Sequence, residues 1–422
     1  MISQQLIAVI IFIMVIVAIM SEKVHRAVAA VTGSVLLVLF KVLSIEDCIS
    51  YIDFNTIGVL IGMMLFVAVV KNSGIFEYIA IRAAKFAKGN PWKIMMYFMI
   101  LTALLSAFLD NVTTVLLIGP MTLAITRILK INPVPFLMTQ ILASNIGGTA
   151  TLIGDPPNIM IGSAANLSFL DFIINLAPIS LAVLAVTIFC SYFIYGKHFV
   201  FDKSAMQEVM KLDEQKAVKD ASLMRKSIIL TIMVAVGFVM HSTLGIESCI
   251  VALTVASIML LIGKQDADEI IAGVEWPTII FFTGLFIVVG GMVKVGVIDK
   301  LAHLLMNVAE GHMVLTMLLI LWVSAILSSI LDNIPFVATL IPLILTMERS
   351  GLNVTPLWWA ISLGACLGGN GTLIGASANV VLSGISNKHG YPITFVQYLK
   401  IGYPMMILSM LLSTIYLVVR FA

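Results

Sequence analysis

Charge is what this sequence has least of. Of its 422 residues only 11% are Asp, Glu, Lys or Arg while 60% are hydrophobic, against about 25% charged residues in an average soluble domain. So little charge cannot dress a water-exposed surface, which excludes an ordinary soluble protein. The 24 basic and 22 acidic residues leave a formal charge of +2. With no basic tail and no interleaving of basic and aromatic side chains, nucleic acid is excluded as a partner. Cysteine is also scarce: Cys48, Cys190, Cys249 and Cys366 lie far apart without a CxxC pair, which argues against a disulfide framework, a zinc site or a cluster. The six histidines sit mainly at loop edges, in no metal-ligand spacing. A paired nucleophile and base, a metal triad and a nucleotide loop are missing too, so no enzyme is expected.

What is present is a series of separated apolar blocks, each close to the 17 to 25 residues that cross roughly 30 Å of hydrocarbon as a helix. Spans are expected near 3–20, 25–42, 54–71, 136–164 and 172–195, and again near 227–241, 246–263, 277–294, 356–384 and 398–419. Two further stretches, 92–128 and 312–347, are too long for one helix and carry Asp110 and Asp332 in their middles. No basic residue precedes the first block and no small-x-small site follows it, so it is expected to stay as structure rather than act as a signal peptide. Between the halves, 196–226 holds seven Lys/Arg and five Asp/Glu in no apolar rhythm and reads as a solvated linker, or a surface helix. Segment 75–90 sets Arg82, Lys85 and Lys88 against Ile75, Phe76, Ile79 and Phe86, the pattern of a helix lying on a membrane face.

The two halves repeat. At an offset of 222, Thr56-Ile57 meets Thr278-Ile279, Gly62 meets Gly284, Gly74 meets Gly296, Ser106 meets Ser328, Leu109-Asp110-Asn111 meets Leu331-Asp332-Asn333 and Pro120 meets Pro342. One residue is then lost, and at 221 Gly147-Gly148 pairs with Gly368-Gly369, Thr151-Leu152-Ile153-Gly154 with Thr372-Leu373-Ile374-Gly375 and Asn158 with Asn379. Common apolar letters matching by chance would not keep these in register, so the chain is a duplicated unit. If each overlong stretch dips in and returns to the same side, each half has an odd number of crossings and the copies face opposite ways, as in many secondary transporters. The expected fold is thus an all-α polytopic membrane protein, an inverted repeat of two five-helix units (1–195 and 227–422), each with a re-entrant hairpin and a broken transmembrane helix. Alternating sides from the N-terminus, nineteen of the 24 basic residues, Lys23 and Arg26 among them, fall on one side. That side is expected to be cytoplasmic, with linker 196–226, leaving both termini outside the cytoplasmic membrane. The count fixes orientation without proving re-entrance, since two full crossings also restore the side.

The chemistry sits in four segments. Asp110-Asn111-Val112-Thr113-Thr114 and Asp332-Asn333-Ile334-Pro335 place an ionisable group and a helix-breaking cluster between apolar arms. A charge at the bilayer centre costs about 2.5–3.5 kcal/mol even on insertion scales, so both must line a cavity or pair. The third segment, from Asn145 through Gly147, Gly148, Thr149, Thr151 and Asp155-Pro156-Pro157 to Asn158, removes side-chain cover and backbone donors and should break its helix. Half-helix N-termini would then suit an anion, and free carbonyls with Asn and Thr oxygens would suit Na+ or a proton-linked carboxylate. The fourth, with Gly368, Gly369, Asn370, Thr372, Ser377 and Asn379, keeps the glycines and oxygens but replaces Asp-Pro-Pro with Ala-Ser-Ala. Plainer readings stand beside these: the glycines as packing positions, Asp110 and Asp332 as helix caps, Asp155 as a turn residue at the membrane edge, and Lys71 and Lys294 as snorkelling span ends.

The pairing of Asp110–Pro120 with Asn145–Asn158, followed by Leu331–Pro342 and Gly368–Val381, resembles the arsenite-efflux and sodium/proton antiporter group of the ion transporter superfamily, nearest the branch containing the melanosomal P protein, with a citrate transporter-like domain. The resemblance covers nearly the whole chain. It implies a scaffold domain and a transport domain, two re-entrant hairpins whose tips meet two broken helices, and a homodimer moving substrate by an elevator-like shift. Where dicarboxylate members carry Ser-Asn-Thr at the hairpin tips, this chain has Asp-Asn-Val-Thr and Asp-Asn-Ile-Pro. Acids there fit a cation, a proton-coupled cargo or a neutral hydroxide such as arsenious acid better than a dicarboxylate. Cys366, at the position matching Asn145, reads as a buried structural thiol, with contact to trivalent arsenic as the alternative. The expected function is secondary active transport of a small inorganic ion, of the arsenite/antimonite type, coupled to the proton gradient by Asp110 and Asp332. Na+/H+ antiport at those aspartates, an anion or carboxylate permease and an ion channel are the alternatives. No cofactor is expected beyond Na+ or H+ as coupling ion, and no metal beyond Na+ at these sites.

Overall fold

A computed structural model describes residues 3–21, 23–199, 202–308 and 312–421. Among them the chain is helical, without strands. The first half runs α1 (Gln4–Met20), α2 (Arg26–Leu39), α3 (Ile45–Tyr51), α4 (Phe54–Asn72), α5 (Ile75–Phe86), α6 (Pro91–Phe108), α7 (Asn111–Ile128), α8 (Val134–Thr149), α9 (Pro156–Ala165) and α10 (Phe169–Ile194). After α11 (Lys203–Met210) the same order returns as α12 (Ala221–Met240), α13 (Ser248–Gly263), α14 (Ala267–Ala272), α15 (Trp276–Lys294), α16 (Val297–Val308), α17 (Met313–Ile330), α18 (Asn333–Arg349), α19 (Thr355–Gly368), α20 (Ser377–Lys388) and α21 (Phe395–Phe421). The starts of α2, α4, α5, α6 and α7 recur at the offset of 222, and those of α8 and α9 at 221.

The helix breaks follow from local chemistry. Each overlong stretch folds as two helices meeting at Leu109-Asp110 and at Leu331-Asp332, because the aspartate turns its carboxylate onto the first free amides of the next helix. Pro156 and Pro157 open α9, where a missing N–H costs nothing. The second broken span lacks those prolines and breaks all the same, over Gly369–Ala376.

Among the described residues, eight helices are long and apolar enough to cross a membrane, including both arms of the first hairpin. Leu181, Phe189, Leu261, Ile415 and Val419 are each more than 60% exposed on α10, α13 and α21, an outer surface suited to lipid rather than water. The chain is a multi-pass membrane protein. Helices α1, α2 and α13 run 17, 14 and 16 residues; fourteen residues rise about 21 Å, so α2 is shorter than the span expected at 25–42.

Packing crosses between the halves. Helix α2 lies along α15, and its counterpart α13 lies along α4. A Cβ on Gly62 would stand 2.7 Å from the Ala252 carbonyl carbon, and one on Gly284 would stand 2.8 Å from that of Ala30. Gly62 and Gly284 are counterparts, as are Ala30 and Ala252, so the contact is reciprocal in the way a two-fold relation requires. The hairpins behave likewise: α6 packs on α8 and α17 on α19 within each half, while α7 lies on α20 and α18 on α9 across the halves.

The linker departs from expectation. Helix α12 begins at Ala221, capped by Asp220, because Arg225 and Lys226 belong to its second turn, whose charges hydropathy does not register as part of a span. Helix α11 is not simply solvated. Ala205 and Val209 are buried, Gly89 stands against Met206, and Lys85 donates to the Leu212 carbonyl and the Glu214 carboxylate. This segment straps α5 to the hairpin arm α7.

Candidate functional site

The two hairpin tips and the first broken span converge. Asp110 caps α7, accepting from the Thr113 amide at 2.8 Å and from its hydroxyl. Asp332 caps α18 through the Ile334 amide at 3.2 Å. Both aspartates are therefore caps, as the plainer reading held, yet neither carboxylate is used up by capping. Asp155, at the break before α9, is 1% exposed and receives the Asn333 amide on both oxygens at 3.3 Å. It lies inside the molecule rather than at an edge.

Around these groups is a cavity of about 20 Å³ lined by Arg26, Asp110, Asn111, Asp155, Glu275, Thr278, Asn333 and Ser377 with Leu60, Met64 and Pro156 among its apolar walls. That is room for a water molecule or a small ion. Two larger hollows share its walls. One of about 330 Å³ holds Asp332, Arg26, His25 and Ser377 with apolar residues of α1 and α20; the other, about 260 Å³, holds Thr113, Lys71, Glu269 and Glu275.

Two of these charges were not anticipated as site residues. Arg26, counted above only as a charge that sets orientation, opens α2 and turns into the site. Its Nη1 stands 3.2 Å from Asp332 and donates to Ser377 at 2.7 Å, its Nη2 donates to Thr278 at 3.0 Å, and its guanidinium lies 5.2 Å from the Phe281 ring centre. Glu275 precedes α15 and accepts from Thr278 at 3.2 Å. A signal for Glu275 exists: its counterpart Asp53 holds Thr56 in the same way before α4, and the two acids lie in register in the repeat. Arg26 carries no such signal, since its counterpart is Ser248.

The remaining expected residues form the wall behind. Asn158 donates to the carbonyls of Gly148, Thr149 and Thr151 at 3.3, 3.2 and 2.9 Å, stapling the first break. Asn379 does the same for Gly369 and Thr372 at 2.7 and 2.9 Å. Asn145 reaches across the repeat to Asn370 and Asn379, both at 2.9 Å, and accepts from Asn111 at 3.4 Å. Ser362 and Cys366 meet Asn158 at 2.6 and 3.5 Å; the Cys366 thiol is fully buried, in keeping with the structural reading. The hydroxyls of Thr149, Thr151 and Thr372 donate to the carbonyls of Asn145, Ala107 and Ser329. Thr114 is buried and its hydroxyl has no hydrogen-bond partner among the described residues. Gly147 and Gly148 act through closeness: a Cβ would fall 2.1 Å from the Ala103 carbonyl oxygen at the first and 2.7 Å from that of Gly154 at the second. The structure thus gathers Asp110, Asn111, Asp155, Asn333 and Ser377 at the cavity and leaves the glycines and threonines as its frame.

The family model described as citrate transporter (CitMHS) matches residues 16–364. The chain belongs to that family. It is 42% identical to an uncharacterized transporter of Mycobacterium tuberculosis, with 98% of each chain covered, and 32% identical to the human P protein over 94% of this chain and 58% of that one. Among solved structures, the YdaH transporter of Alcanivorax borkumensis superposes with a TM-score of 0.56 at 15% identity, covering 91% of this chain and 88% of that one, so the fold is shared. This member of the citrate transporter family is a membrane transporter, not an enzyme. The expected kinship with P proteins is present; the narrower placement among arsenite exporters and antiporters rests on the motifs alone.

Proposed function

We propose that this protein is a secondary active transporter of the cytoplasmic membrane in which a cation, H+ or Na+, held among Asp110, Asp155 and Glu275 is coupled to the efflux of a small hydroxylated inorganic solute of the arsenite or antimonite type. One observation carries the reading: three carboxylates, Asp110, Asp155 and Glu275, and the first residues of α7 and α18, Asn111 and Asn333, face a cavity sized for a single ion, with one arginine as their only cationic neighbour among the residues lining it. A site with a net negative charge attracts a monovalent cation and does not repel a neutral hydroxide. The packing of the second arm of each hairpin, α7 and α18, on the opposite half's broken helix supports two hairpins that enter from opposite faces and meet near the middle, hence a repeat of inverted topology (1–195 and 227–422); an elevator-like shift in a homodimer is proposed with it.

A second reading, a carboxylate permease, is favoured by Arg26, whose forked guanidinium suits a carboxylate, and by the family's description as citrate transporters. Everted membrane vesicles separate the candidates. Arsenite uptake, citrate uptake and Na+-induced dequenching of a pH dye are compared for the wild type, Asp110→Asn and Asp332→Asn. Energised arsenite uptake that both substitutions abolish supports the leading reading. Dequenching without arsenite uptake makes the protein a Na+/H+ antiporter, citrate uptake favours the permease, and normal transport by both variants removes the coupling role of the aspartates.

A further inference from the structure

Around the hairpin tips acid answers to acid and threonine to threonine across the repeat, and Arg26 departs from that pattern. Asp332 answers to Asp110, Thr278 to Thr56 and Glu275 to Asp53, but Arg26 answers to Ser248. The consequence is visible in the pairing. Asp332 lies 3.2 Å from a guanidinium that Ser377 and Thr278 hold in place, whereas Asp110 makes no ion pair among the described residues and keeps only its contacts with Thr113. The second hairpin tip already holds a cation, covalently tethered to α2.

Helix α2 packs on α15, outside the hairpins and broken spans, while Asp332 and Ser377 belong to a hairpin tip and to the start of α20. The Arg26 pair therefore bridges two packing groups. If transport exchanges the conformations of the two halves, a change that the symmetric contacts of Gly62 and Gly284 would leave intact, each contact made here outside that frame is replaced by its counterpart in the other state. Arg26 with Asp332 becomes Ser248 with Asp110. Asp332 then moves away from its arginine and toward the neighbourhood of Asp53, an acid. A carboxylate inside the membrane cannot be left so without a counter-charge.

We infer that Arg26 is a tethered displacing cation: in the state described here it occupies Asp332, and in the opposite state Asp332 takes up the coupling cation that Arg26 expels on return. Release is thereby assigned to the side where the 330 Å³ hollow lined by His25, Arg26 and Asp332 opens. The inference rests on the proposed reading of the protein as a cation-coupled transporter and adds to it which aspartate is loaded in which state. The other charged or titratable groups of this neighbourhood are Glu275, reached from Arg26 through Thr278, His25 beside Arg26, and Asp110 and Asp155 across the cavity.

The test uses cation binding, so it does not depend on knowing the solute. Thermal transitions of the purified full-length protein are followed in Na+ and in N-methylglucamine, from about pH 5 to about pH 9, for the wild type, Arg26→Gln and Arg26→Gln/Asp332→Asn. Arg26→Gln leaves Asp332 unpaired and gains a stabilisation by Na+, or, if the coupling ion is the proton, one by low pH without Na+, beyond any wild-type response; the double variant loses that gain. Equal responses of Arg26→Gln and the double variant overturn the inference. If Arg26→Gln does not fold, Arg26→Lys decides. An ammonium without the fork to Thr278 and Ser377 holds Asp332 less firmly and admits a cation response above the wild type's, and a lysine variant no more responsive than the wild type overturns the inference. A positive binding result with no arsenite flux in the vesicle assays would leave the cation site at Asp332 standing and remove the proposed solute; arsenite flux with no binding gain would overturn the inference and leave the proposed function standing.

Discussion

Single side chains do two jobs in this protein, and the hydrogen-bond pattern separates them. Asn158 spends its amide on three backbone carbonyls and its oxygen on Ser362 and Cys366, which makes it the staple of the first helix break. Replacing it with alanine orphans buried carbonyls at about 1–3 kcal/mol for an unsatisfied group. Asn158→Ala is expected to lower stability by about 2 kcal/mol, read as a lower transition temperature of the purified protein, with Asn158→Asp no substitute because it removes the donors. At this scale much of the site was legible: Asp110, Asp332 and Asp155 stood out because acids are scarce in apolar stretches, and their repeated Asn, Thr and Gly neighbours marked the breaks. Arg26 was not legible. It starts a span close to Lys23, where basic residues ordinarily set orientation, and its partner lies 306 residues away, a distance no local pattern crosses.

Helices and loops come next, and here close packing decides. A methyl at Gly147 would collide with the backbone of Ala103 on α6, whereas one at Gly384 on α20 meets nothing within 4 Å among the described residues. Gly147→Ala should therefore reduce the yield of folded, monodisperse protein sharply while Gly384→Ala leaves it unchanged, as size-exclusion profiles would report. The linker strap gives a prediction in pH. Lys85 beside Glu214 holds its carboxyl below the usual carboxylate range. A lowered folded value means that the stabilisation is present above the ordinary carboxylate pKa, about 4.3, and is lost as pH falls through the lowered value. Pepsin should accordingly nick 203–217 in the wild type only at the acid end of its range, and Glu214→Gln should be nicked at higher pH. The sequence foretold the hairpins and the broken spans because Asp, Gly and Pro interrupt apolar runs there. It understated the linker because α11 is too short and too polar to show an apolar rhythm, and is ordered by docking on α5 and α7.

At the scale of the whole molecule, duplication explains why so few polar residues suffice. Two copies of one hairpin and one broken span, cross-packed, bring four segments from distant parts of the chain to one cavity. The offset of 222 made that architecture readable before any coordinates, whereas α2 is shorter than hydropathy indicated because its apolar run continues past Leu39 into Phe40 and a turn. Orientation has its own check: with the native cysteines removed, a cysteine placed in 203–220 should react with an impermeant thiol reagent in everted vesicles and stay unreacted in intact cells.

The central claim is that the carboxylates at the cavity couple a cation to a solute. Proteoliposomes holding wild type or Asp110→Asn allow the most direct measurement, comparing arsenite accumulation driven by an imposed pH or Na+ gradient with arsenite exchange at equilibrium. The account predicts that Asp110→Asn loses gradient-driven accumulation and keeps exchange. Accumulation by Asp110→Asn at the wild-type level would contradict it.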